Sequence, residues 1–323
     1  MPSSDRVPVE AAPDDAAAEP IPRGRRRRLP PVSVMPTLCT LGNLVAGFAA
    51  ILYASKPMDF VGPWGWSGLW LAGVLVFLGM LFDAVDGWVA RLTRSISEVG
   101  VHLDSLADAV TFGVAPAYIM LQLVGHHLSD AQGTSIIGPE ADDVLGKVVW
   151  AVAVLYLCCA ALRLARFNVE TGPGRIERGS AFRGLPSPGA AGAITSLMLL
   201  HQYIVVDLFA EDIPASFARG AALGIPFVTL LCGLAMVSSI PYPHMTNRYL
   251  YGPRSFGYVA RLVVLLALAI WFLWGTLALV FTAYVLSGPV QLLRNRARPR
   301  AAGALAGPNG ENHGAGSGVI DDS

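Results

Sequence analysis

Apolar residues in this chain come in runs of about twenty, separated by short links that hold most of the polar and charged positions. A run of that length matches the ~20 residues an α-helix needs to cross the hydrocarbon layer of a bilayer. The runs predict spans at 34–55, 66–91, 104–125, 147–168, 187–206, 217–239, 257–274 and 276–293. The fold class expected is therefore an all-α integral membrane protein with about eight transmembrane helices. The last two spans are the least separated, because only Gly275 interrupts the run from Tyr258 to Leu293, and the chain can bend there instead of turning.

Composition agrees: 54% of the 323 residues are hydrophobic and 14% charged, and the mean hydropathy is +0.52. Net charge is zero, but its distribution is uneven. Arginines gather before the first span (Arg23, Arg25 to Arg28), after the second (Arg91, Arg94), after the fourth (Arg166, Arg175, Arg178, Arg183), after the sixth (Arg248, Arg254) and at the end (Arg294 to Arg300). The alternate loops carry only Lys56 and Lys147, at their edges. By the positive-inside rule both termini face the cytoplasm, the expected location being the inner (cytoplasmic) membrane, with Trp64, Trp66 and Trp70 as an interfacial belt at the opposite surface. The first span serves as the insertion signal, since no cleavable apolar segment precedes it. The run Arg23-Gly24-Arg25-Arg26-Arg27-Arg28 reads as an anchor for anionic lipid headgroups, not a nucleic-acid site. Residues 1–32 and 294–323 are expected to be disordered tails. Cys39, Cys158, Cys159 and Cys232 all fall in apolar runs, which argues for packing and against disulfides.

The candidate chemistry lies where the second span turns polar. The segment Asp83-Ala-Val-Asp86-Gly87-Trp-Val-Ala90-Arg91 is followed, eight residues on, by Gly100-Val-His-Leu-Asp104-Ser-Leu-Ala-Asp108. On a helix, positions 83, 86, 87 and 90 share one face, as do 100, 104 and 108 on the next. Two helices can thus aim four carboxylates at one point. Such a cluster repels itself unless divalent cations bind through its oxygens, so Asp83, Asp86, Asp104 and Asp108 are candidate metal ligands. Gly87, Ala90 and Gly100 keep the same faces open to a ligand. Arg163 and Arg166 form a second candidate group, followed by Asn168. Arg163 lies deep in an apolar run and must find a partner, and a carboxylate is one it can bind.

This string resembles the signature of the CDP-alcohol phosphotransferase family, with every defining position filled. The resemblance implies a six-helix catalytic core, residues 33–242, extended here by two helices within 243–293. It implies two divalent cations, Mg²⁺ or Mn²⁺, on Asp83, Asp86, Asp104 and Asp108, with Asp108 as the general base. It also implies a CDP-lipid held by Asn43, Asp86, Gly87, Ala90, Arg91 and Gly100, and a homodimer. The segments Pro36–Leu44, Asp108–Pro116, Arg163–Asn168 and Phe182–Ala191 resemble the membrane-integral phosphatidylserine synthases, although those commonly carry Pro-Asn where this chain has Pro36-Thr37. That implies transfer of a phosphatidyl group from CDP-diacylglycerol to L-serine with release of CMP, the serine bound by Arg163, Arg166 and Asn168. Glycerol 3-phosphate or an inositol phosphate as acceptor is the enzymatic alternative. A non-catalytic scaffold or transporter is the other, though no internal repeat speaks for it.

Overall fold

The computed structural model describes residues 34–57, 59–93, 98–128, 137–171, 184–208, 213–240, 242 and 256–297. Among these, the regular structure is helical apart from an isolated bridge between Val61 and Ser67. The helices are α1 (Val34–Ala54), α2 (Gly68–Thr93), α3 (Glu98–Asp108), α4 (Ala115–Leu128), α5 (Val144–Thr171), α6 (Ser187–Gln202), α7 (Ala215–Val237), α8 (Phe256–Trp271) and α9 (Leu273–Ala297). A π-helical turn, Ala109–Val114, fuses α3 and α4 into one rod, and a second, Tyr203–Leu208, prolongs α6. Eight rods therefore stand where eight spans were expected. The N-terminal tail, residues 298–323, most of the predicted loop arginines and the side chain of Arg91 lie outside the described residues, whereas 294–297, expected in the disordered tail, continue α9.

Among the described residues, six rods are long and apolar enough to cross a bilayer: α1, α2, α3–α4, α5, α7 and α9. Their outward faces carry large apolar side chains such as Phe48, Leu81, Leu162 and Phe227, as hydrocarbon solvent permits. The bundle is organised around α6, whose residues are nearly all buried and mostly small, letting α2, α4, α7 and α9 pack closely on it. The predicted joint between the last two helices falls at Phe272, not Gly275. The Phe272 amide donates to the Leu268 carbonyl at 2.7 Å and its own carbonyl accepts from Thr276 N at 3.0 Å. The helical ladder thus continues through the joint, and the rods meet in a bend. Gly275 instead gives the Phe272 ring its place, since a β-carbon there would collide with it.

The tryptophan belt is also corrected. Trp64 is 81% exposed, but Trp70 is only 7% exposed. Trp70 meets Trp274 of α9 edge-on, with ring centroids 4.4 Å apart, so it is core and not interface.

Candidate active site

The acidic residues owe their positions to a tight junction of α1, α2 and the π turn. A β-carbon at Gly47 would run into the backbone and hydroxyl of Thr111, and one at Gly79 would stand 2.6 Å from Thr111 Cγ2. Glycine at both positions lets α1 and α2 close on the turn. A π turn shifts the carbonyl pattern of its helix, and the surroundings satisfy what it displaces. Tyr156 of α5, fully buried, donates its hydroxyl to the Phe112 carbonyl at 2.8 Å. Thr111 Oγ1 donates to the Asn43 carbonyl at 3.0 Å.

Above this junction, neutral side chains of α1 orient two of the acids. Asn43, fully buried, donates through Nδ2 to Asp108 Oδ1 at 3.1 Å. The Thr40 hydroxyl donates to Asp86 Oδ2 at 2.9 Å. One carboxylate oxygen each from Asp83, Asp104 and Asp108 lies within 4.8 Å of the other two. Asp86, held by Thr40, stands outside this trio. Asp104 Oδ1 is buried with no hydrogen-bond partner. Converging hard oxygen donors, one of them buried and unsatisfied, fit a divalent cation of the Mg²⁺ or Mn²⁺ kind. Beyond Asp86, Gly87 and Ala90 continue α2, and Gly100 lies one turn before Asp104 on α3; all three are half-buried.

Arg163 reaches the cluster from α5. Its Nη1 donates to Ser187 Oγ at 2.6 Å, and its guanidinium interacts electrostatically with Asp108 and Asp83. Ser187 is brought there by a turn pinned against the end of α7. Gly184 adopts φ +91°, and its amide donates to the Ile240 carbonyl at 2.9 Å. A β-carbon on Gly184 would strike the Met236 carbonyl oxygen, so glycine is required by both backbone angle and space. The Leu185 amide then donates to the Ala235 carbonyl at 3.0 Å, and α6 starts at Ser187 with Pro186 and Pro188 fixing its entry.

The structure separates Arg166 from Arg163. Arg166 Nε pairs with Glu170 Oε1 at 2.7 Å, with the two side chains 41% and 54% exposed. Three positions beyond Arg163, it has left the buried end of α5 and finds an acid one turn on. Asn168 turns to α3, donating to Ser105 Oγ at 2.9 Å, and so ties α5 to the helix of Asp104 and Asp108. Thr40 and Thr111 carry no chemical signal of their own in the sequence, although Thr40, Asn43 and Gly47 follow one helical face. Ser187 lies in the segment Phe182–Ala191, and a deep arginine needs a partner.

Residues 33–287 match the sequence pattern of the CDP-alcohol phosphatidyltransferase family. Among individual proteins, the chain is 31% identical over 215 residues to a CDP-diacylglycerol–serine O-phosphatidyltransferase of Helicobacter pylori, covering 66% of this chain and 73% of that one. A protein of the same name from Methanocaldococcus jannaschii is 29% identical over 210 residues, 65% and 73% of the two chains. An archaetidylserine synthase of Methanothermobacter thermautotrophicus is 30% identical over 213 residues, 65% and 70% of the two. The family match runs from before α1 into α9 and takes in every acid of the cluster, which makes this chain a member of the CDP-alcohol phosphatidyltransferase family.

Proposed function

We propose that the protein is a phosphatidylserine synthase, which transfers the phosphatidyl group of CDP-diacylglycerol to L-serine and releases CMP. The observation that carries this reading is the convergence of Asp83, Asp104 and Asp108 beside Arg163, in a chain akin to proteins named for that reaction. In this reading Asp83, Asp104 and Asp108 hold a divalent cation, Mg²⁺ or Mn²⁺, and Asp86 joins them at a second. Bound there, such cations would supply positive charge against the pyrophosphate and the departing CMP.

The chain's own residues do the rest. Asp86, Gly87, Ala90 and Gly100, with Arg91 and Asn43, form the seat of the CDP moiety, the small side chains admitting it close to the helix backbones. Asn43 engages one oxygen of Asp108 and fixes its orientation, leaving the other to take the proton of the serine hydroxyl. The serine oxygen then bonds to the lipid-bearing phosphorus, the bond from that phosphorus to the CMP oxygen breaks, and CMP leaves. Arg163 holds the serine carboxylate, for which its planar fork is suited. Asn168 acts at a distance, by joining α5 to α3 through Ser105. The arginine asymmetry supports an active site facing the cytoplasm from the inner membrane, and we take the working unit to be a homodimer.

The test is CMP release by purified protein in mixed micelles with CDP-diacylglycerol, Mg²⁺ or Mn²⁺, and a panel of L-serine, glycerol 3-phosphate, inositol and inositol phosphate. Release with serine alone, lost on chelation and restored by added metal, is expected. Release with a phosphorylated acceptor and not with serine overturns the acceptor while leaving the donor chemistry in place. No release with any acceptor favours a non-catalytic role.

A further inference from the structure

The last helix was expected to lie outside the catalytic core, yet α9 is docked beside Arg163 and Ser187 by two interlocking tyrosines. Tyr284 of α9 lies over Gly189 of α6, one half-turn from Ser187. A β-carbon at Gly189 would stand 2.7 Å from Tyr284 Cε1. In return Tyr242, which follows α7, lies over Gly288 of α9, where a β-carbon would collide with its ring. The Tyr242 hydroxyl donates to the Val285 carbonyl at 3.3 Å, and the rings of Tyr242 and Tyr284 are 6.0 Å apart. Each tyrosine thus fills the space left by a glycine of the facing segment, which fixes the Tyr284 ring. Its phenol, half-buried, interacts electrostatically with the Arg163 guanidinium.

We propose that Tyr284 is a specificity residue for the acceptor, its hydroxyl donating to the carboxylate that Arg163 holds, so that α9 forms one wall of the acceptor seat. This rests on the assignment of L-serine to Arg163. A phenol donor beside a guanidinium is matched to a carboxylate, since each oxygen of the anion then meets an N–H or O–H. An acceptor without the carboxylate leaves the phenol and the guanidinium N–H groups not taken by Ser187 without that anion, and loss of such pairing discriminates strongly between substrates.

Tyr284→Phe removes the hydroxyl and keeps the ring on Gly189, so packing is preserved. The measurements are the apparent KM values for L-serine and CDP-diacylglycerol, the melting temperature, and the ratio of kcat/KM for L-serine over ethanolamine, which lacks the carboxylate. The variant is expected to raise the serine KM about tenfold and to lower the serine-to-ethanolamine ratio, with the donor KM and melting temperature unchanged. A merely structural role would shift both KM values or the melting temperature together, and that result overturns the proposal. So does wild-type serine KM in the variant. As a second variant, Gly189→Ala is expected to push the ring aside and reproduce the rise in serine KM; a selective rise in the donor KM would contradict a wall on the acceptor side. Wild-type protein that turns over no serine overturns the acceptor reading itself, and this inference with it, whereas a normal serine KM in Tyr284→Phe overturns the tyrosine alone.

Discussion

The two ends of the helix bundle are built on opposite principles. At the acidic end, single polar contacts place the charged groups, Thr40 to Asp86, Asn43 to Asp108, Arg163 to Ser187 and Asn168 to Ser105, and a tyrosine pair, Tyr242 with Tyr284, docks α9 beside them. At the far end helices meet through rings: Trp70 against Trp274, Tyr203 against Phe272, and His127 edge-on to His201. Aromatic contacts tolerate small shifts and supply mostly buried area. A hydrogen bond to a carboxylate has a preferred direction and sets where a charge stands. The difference teaches that the far end holds the bundle together, while the acidic end sets side-chain orientation at some expense of stability.

Substitutions can break this comparison. The largest effect is expected from Asp108→Asn, which keeps the shape of the side chain and its place beside Asn43 but cannot accept a proton. CMP release should fall by about 10²–10⁴-fold with little change in melting temperature; near-normal turnover at saturating metal would remove Asp108 from the role of base. Next is Trp274→Ala at the far end, where the ring is half-buried against Trp70, expected to destabilise the fold by less than the ~3–5 kcal/mol that emptying a fully buried aromatic site costs. The protein that remains folded should keep its KM values, and denaturation monitored alongside turnover separates the two. If kcat fell with no loss of stability, the division between the ends would be wrong.

Smaller effects sharpen the picture. Asn43→Ala removes the group that orients Asp108 and should reduce kcat roughly tenfold, as expected for one hydrogen bond to a charged group, with the serine KM near wild type and any rise in KM confined to CDP-diacylglycerol. The smallest is Arg166→Ala, which breaks an exposed pair worth at most about 1 kcal/mol. It should leave the serine KM within roughly twofold, whereas Arg163→Lys, which loses the fork but keeps the charge, should raise it well beyond that. A serine KM as sensitive to Arg166 as to Arg163 would return Arg166 to the acceptor seat.

Helix positions were legible where a run is bounded by polar links, as it is not at the joint of α8 and α9, and because hydrocarbon leaves the backbone no alternative to internal hydrogen bonding. The convergence of Asp83, Asp104 and Asp108 was legible for a different reason: spacings of three and four residues put side chains on one face of each helix, and the two acidic segments follow one another closely in the chain. Asp86 shares that spacing, but Thr40 on another helix draws it aside. Arg163 and Arg166 also look equivalent at a spacing of three. Burial separates them, and burial depends on what α6 brings to α5.

What the sequence determined by itself is therefore what rests on local periodicity and solvent: eight helical rods, the end at which the charges collect, and the face each acid shares. Tertiary structure alone decided the rest. Two helices close on Thr111 in the π turn after Asp108 because Gly47 and Gly79, distant in the chain, leave it room. Ser187 meets Arg163 because Gly184 folds its turn onto the end of α7, and Tyr284 reaches the same place because Gly189 leaves room for its ring. Each of these pairs residues far apart in the chain through the absence of a side chain. A missing β-carbon becomes a contact only when the facing helix arrives, so no pattern within either segment announces it.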